Sequence, residues 1–181
     1  MLPTKHAPRG WYNLLESRHG LAQIIGASEE NILITQGNLA STYRALGRTE
    51  QALSLRRDVY SGTVRLKGKH HAETMTECGN LVINLIELER FQEAKRLLRK
   101  VIPVARRVLG NEHNLTLSLC EDLSRATLLD GDSSAEEVRE AVRALEDTLG
   151  VWRRVLGPQH PNTQRVQQNL EAYREAFPTT A

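Results

Sequence analysis

Apolar side chains return at helical intervals along Asn31 to Leu46 and again along Thr74 to Leu88, and a second amphipathic stretch follows each, Gln51 to Leu66 and Gln92 to Leu109. Each pair predicts two antiparallel helices joined by a short turn. Gly47 and Gly131 fall between paired helices, where a positive φ is cheap only for glycine, while Gly26, Gly68, Gly110 and Gly157 fall where a helix C-cap is expected. Pro161, just after His160, suits the first turn of a helix, and Ser133-Ser-Ala-Glu136-Glu137 has the makings of a capping box. Pro103 lies inside its predicted helix and should remove a backbone hydrogen bond and bend it.

The hairpins repeat. Gly68-Lys-His-His71-Ala-Glu-Thr74, Gly110-Asn-Glu-His113-Asn-Leu-Thr116 and Gly157-Pro-Gln-His160-Pro-Asn-Thr163 share the string G-x-x-H-x-x-T at spacings of 42 and 47 residues, and Gly26 heads a degenerate fourth copy 42 residues upstream. Asn38-Leu39, Asn80-Leu81, Asp122-Leu123 and Asn169-Leu170 keep the same spacings, which marks the four leucines as core positions. Ala52, Ala94 and Ala141 continue the register once five extra residues near Ser133 to Glu137 are placed in a turn. One hairpin cannot bury its own apolar stripe, so about three units must stack to make a continuous core. The expected architecture is all-α, a right-handed superhelix of antiparallel helical hairpins. It divides into an N-terminal helical segment at 1–25, repeats at 26–67, 68–109 and 110–156, and a C-terminal capping helix at 157–181. The first segment, Trp11 to Ile25, carries Gly10 and Gly20 nearby and matches the pattern poorly, as a degenerate repeat would.

Composition narrows the class. Aromatic residues make up only 4% of the chain, which favours helices packed through aliphatic side chains over a β-sandwich. The 24 Lys and Arg nearly match the 22 Asp and Glu, so a net charge of +2 builds no strong field for nucleic acid or anionic lipid. The opening Met1-Leu-Pro-Thr-Lys-His has no apolar core of a signal peptide, and no run approaches the ~20 apolar residues of a membrane span, so a soluble, cytoplasmic chain is expected. There is no P-loop, no G-x-S-x-G elbow and no H-E-x-x-H, and carboxylates sit in exposed helical patterns; neither an enzyme nor a cofactor is expected.

The stretch Asn38-Leu39-Ala40-Ser-Thr-Tyr43-Arg-Ala-Leu-Gly47-Arg-Thr-Glu-Gln-Ala52, together with the three G-x-x-H-x-x-T junctions, resembles the tetratricopeptide repeats of kinesin light chains, which share a 42-residue unit and an L-G-x-x-H-P-x-T linker. The resemblance spans roughly residues 26 to 177. Glu89 replaces the turn glycine of the second unit, Thr127 stands where Tyr43 stands in the first, and Tyr173 comes one residue early in the last. The chain shows no long heptad segment that would dock a kinesin heavy chain. The resemblance implies a scaffold that binds a partner protein through the inner wall formed by first helices.

On that premise, residues one step before each core leucine, and those about a turn to either side, face the ligand. The candidate peptide-binding residues are Asn38, Ser41, Thr76, Asn80, Ile83, Glu87, Asp122, Arg125, Arg165 and Asn169. A recurring Asn offers a donor and an acceptor to the backbone of an extended peptide whatever its side chains. Gly37 and Gly79 sit beside two of these Asn residues, either to admit a peptide backbone or to relieve crowding between neighbouring helices. Equivalent His residues in adjacent units lie on the order of 10 Å apart, too far to share a metal, and are read instead as organisers of helix starts. Cys78 and Cys120, one period apart, are expected to be separate buried thiols. Basic clusters such as Arg56-Arg57, Arg99-Lys100 and Arg106-Arg107 lie on second helices with interleaved acids and few aromatic partners, which reads as a solvated face and not as a nucleic-acid surface. The expected partner is a protein or peptide and the expected state a monomer or weak dimer; the alternative is a purely structural or self-associating module.

Overall fold

A computed structural model describes residues 28–176. The segment from Trp11 to Ile25, the degenerate junction at Gly26 and the chain from Phe177 onward lie outside the described residues. Among those described there are seven α-helices and no strand: α1 (Glu29–Ala45), α2 (Thr49–Lys67), α3 (Ala72–Glu87), α4 (Phe91–Leu109), α5 (Asn114–Leu129), α6 (Ala135–Leu156) and α7 (Pro161–Ala176). They fall into two compact units that divide between Leu66 and Lys67.

The G-x-x-H-x-x-T string is a complete helix-to-helix joint. Its glycine takes a positive φ, +84° at Gly68, +97° at Gly110 and +85° at Gly157, which ends the preceding helix at low cost. Its histidine caps the next helix: Nδ1 of His71, His113 and His160 accepts the backbone N–H of Glu73, Leu115 and Asn162, each at 3.2 Å. Its threonine is buried in all three copies, and Thr74 Oγ1 donates back to the Gly68 carbonyl at 2.8 Å. At the start of α1 the shorter Ser28 does the same work by accepting from Asn31 N at 3.2 Å.

In the first unit α1 and α2 run antiparallel, tied near the turn by Arg56 Nη2 donating to Ser41 Oγ at 2.7 Å and at the far end by an ion pair of Arg65 with Glu29. Leu33, Ala40, Ala52, Leu53 and Val59 are buried. Leu39, expected in the core, is 42% exposed. It stands beside Ala40, whose full burial shows that the apolar seam of α1 runs one residue further on.

In the second unit each helix packs on the next, and α3 also lies against α5. Gln92 to Asp130, Lys95 to Ser133 and Arg99 to Glu137 are polar contacts with one constant offset, so α4 runs parallel to the segment that enters α6. Glu146 with Arg174, and Arg153 with Gln167 at 3.0 Å, reverse the order and make α6 and α7 antiparallel. Trp152, fully buried, centres a core of Leu117, Leu128, Leu145, Leu149, Val166 and Leu170. The leucine register holds here for Leu81 and Leu170, while Leu123 is half-buried.

Local geometry differs from the sequence reading at two further points. The five-residue insertion does not sit wholly in a turn, because α6 is 22 residues long against 19 for α4, so most of it lengthens the first turn of α6. That turn carries the capping box, Ser134 accepting from Glu137 N and Glu137 accepting from Ser134 N. Gly131 takes no positive φ; the turn is held by Asp130, whose Oδ1 accepts from Asp132 N at 3.2 Å, so glycine is not required. The helix α4 runs through Pro103 to Leu109, and the proline ring leaves the Arg99 carbonyl without its helical N–H donor.

Candidate functional site

The first helices α1, α3, α5 and α7 carry the predicted ligand-facing positions. On α1, Asn38 and Ser41 are exposed. Ser41 is already engaged, accepting from Arg56 and donating to the Gly37 carbonyl at 3.2 Å. On α3, Thr76 and Glu87 are exposed and Asn80 and Ile83 half-buried; Thr76 Oγ1 bonds back to the Ala72 carbonyl, and Asn80 Nδ2 donates to Glu77 Oε2 at 3.3 Å.

The remaining four residues meet at a single cluster in the second unit, centred on a residue that sequence reasoning missed. Glu121 of α5 has a side chain only 3% exposed, and Arg165 of α7 closes on it with both guanidinium nitrogens, Nη2 to Oε2 at 2.9 Å and Nη1 to Oε1. Asn169, a turn further along α7, also hydrogen-bonds this carboxylate. Asp122 pairs with Arg125 one turn on, at 3.1 Å. Glu121 occupies the repeat position of Gly37 and Gly79, so an acid at a position otherwise held by glycine was the available signal.

Burial governs the electrostatics of this cluster. It raises the Asp122 carboxyl to about 6 against the pull of Arg125, with the neighbouring Glu121 adding to the rise. Burial likewise raises Glu121, opposed by Arg165. Cys78 is fully buried, and burial together with the charge of Asp122 pushes its thiol up to about 12, which leaves no nucleophile. Cys120 departs from expectation: it is only half-buried, and Arg106 approaches its sulfur at 3.7 Å. No group of three or more His, Cys, Asp or Glu side chains among the described residues is placed to hold a metal.

The two helix-interior glycines face helices. A Cβ on Gly37 would stand 3.4 Å from Arg56 Nη1, and one on Gly79 would stand 3.7 Å from Leu119 Cδ2 of α5. Both are ordinary van der Waals distances, so a methyl group fits at either position and packing against these neighbours does not by itself call for glycine.

The sequence profile of the tetratricopeptide repeat matches residues 32–73, 74–115 and 133–162, more than half of the chain. The chain belongs to the tetratricopeptide repeat family. Its repeats are of the kinesin-light-chain-like kind. A kinesin-light-chain-type protein of Podosopora anserina with nearly identical TPR-like repeats superposes with a TM-score of 0.64 at 25% identity, covering 93% of this chain and 82% of that one. A variant of the same protein gives 0.65 at 24% identity, with 93% and 81% covered. BtubC of P. vanneervenii shares the fold at 14% identity, with a TM-score of 0.51 over 93% of this chain and 70% of that one. No curated protein sequence matches the chain. Tetratricopeptide arrays are protein-interaction scaffolds and not enzyme folds, and no described helix of this one is long and apolar enough to cross a membrane.

Proposed function

We propose that the chain holds a segment of a partner protein against its first helices, with Asn80, Asp122 and Asn169 as the repeated contact of the second unit and Asn38 as the corresponding contact of the first. The observation that supports this reading is their common setting. In every described first helix this position stays open to solvent in whole or part, although one of its two flanking neighbours, Gly37, Leu81, Glu121 or Leu170, is buried. Amide side chains at such a position can bond the backbone of an extended peptide, giving affinity with little demand on its sequence. Ser41, Thr76, Ile83, Glu87, Arg125 and Arg165 would then supply the selective contacts. Asp122 and Glu121 already have Arg125 and Arg165 as counter-charges, so this part of the face discriminates by the polar pattern of the ligand more than by its net charge.

The test is selection of binding peptides from a random library on the immobilised chain, followed by titration. Asn38→Ala combined with Asn80→Ala should weaken a selected peptide by about ten-fold or more, two lost hydrogen-bonding side chains, while the melting temperature stays unchanged. Undiminished affinity in the folded double variant would remove the Asn positions from the binding face.

A further inference from the structure

The second unit contains a cavity of about 340 Å³ on the side of its second helices, away from the Asn positions, walled by α4, α5 and α6. Its size comes from three short side chains. Ser124, Thr127 and Ala144 line it, and one repeat earlier the corresponding positions are Val82, Leu85 and Leu97, the first two fully buried. The floor is apolar, with Ile102, Leu123 and Ala141. Pro103, also on the wall, has no N–H to offer the Arg99 carbonyl, which loses its helical donor at the edge of the cavity.

The two arginines on the wall differ in their engagement. Arg99 pairs with Glu137 at 3.4 Å. For the Arg106 guanidinium, the polar contact among the described residues is the Cys120 sulfur at 3.7 Å, a weak acceptor that leaves its fork of donors unmatched by any carboxylate. Because α4 and α6 run parallel in the register set by Arg99 and Glu137, Arg106 comes level with Ala144, about 10 Å along the helices from Glu137 and about 6 Å from Glu140. An apolar trough thus ends at an unmatched guanidinium.

We propose that this cavity binds a small amphiphilic carboxylate, its apolar body lying over Ile102, Leu123 and Ala141 and its carboxylate taking paired hydrogen bonds from Arg106. The probes are octanoate and octan-1-ol, titrated into the full isotope-labelled chain and followed by amide chemical shifts. Octanoate should shift residues of all three walls and saturate. Ala144→Leu, which restores the bulk of Leu97 at an exposed position, should abolish binding of both probes in a chain that still melts cooperatively. Arg106→Gln should weaken octanoate by about ten-fold and leave octanol within about two-fold. Absence of saturable octanoate binding overturns the site, as does binding that survives Ala144→Leu. Equal weakening of both probes by Arg106→Gln overturns the carboxylate assignment.

Discussion

Glu89 is the one non-glycine among the described residues with a positive φ, +57°, and it does what Gly47 does at +72° in the first hairpin. The two turns close with the same bond, Arg48 N to the Tyr43 carbonyl and Arg90 N to the Leu85 carbonyl, each 2.8 Å. The second therefore takes a glycine conformation without a glycine, at a cost of about 1–2 kcal/mol from the Cβ. Replacing Glu89 with glycine would relieve that cost, less what the greater freedom of glycine in the unfolded chain takes back. Glu89→Gly should raise stability by about 0.5–1 kcal/mol, read as a higher urea midpoint at unchanged slope; a lower midpoint would mean the side chain of Glu89 contributes more than its backbone costs. The same residue shows what sequence could and could not say. Its departure from the repeat was visible, but whether the turn would keep its shape or change it was not, since both outcomes leave the helices in phase.

At the scale of elements, what was legible was local. The Gly, His and Thr of each joint act on backbone groups within six residues, so their meaning survives in the sequence string, and helix placement followed from them. What escaped depends on neighbouring helices: the exposure of Leu39, the buried Glu121 that gathers Arg165 and Asn169, and the buried Lys95. Lys95 on α4 is 1% exposed, with Nζ 2.6 Å from Asp130 Oδ2 and 3.2 Å from Ser133 Oγ, and Gln92 adds a bond of 2.8 Å to the same carboxylate. One helix is thus fastened to the turn between the next two by a buried ion pair, hidden from sequence because its partners lie 35 and 38 residues apart along the chain. Lys95→Met keeps the stem but strands the Asp130 carboxylate, and should cost about 3–5 kcal/mol; Lys95→Met with Asp130→Leu should recover most of it. A single variant that melts within about 1 kcal/mol of the parent would show that solvent reaches Asp130 readily.

For the whole molecule, Asp130 and Asp122 set opposite limbs of the pH profile. Asp130 is held below the usual carboxylate range, first by its hydrogen bond with Lys95, so its contribution is complete above the ordinary value and is lost as acid carries the pH down through the lowered one. Asp122 is the reverse case. Folded, it titrates at about 6, so between there and the ordinary Asp value near 4 the native chain holds a proton that the unfolded chain has released. Unfolding then gives up a proton, and stability rises as pH falls through that window, by on the order of 2–3 kcal/mol for this group, with Glu121 acting in the same sense. The melting temperature of the second unit should therefore climb from pH 7 to a maximum between about 4 and 5, then drop as Asp130 protonates. Asp122→Asn removes the titrating carboxyl and should flatten the climb while leaving the acid limb in place. If the variant climbs as steeply as the parent, Asp122 is ionised at little cost in the fold and another carboxyl, Glu121 first, carries the climb.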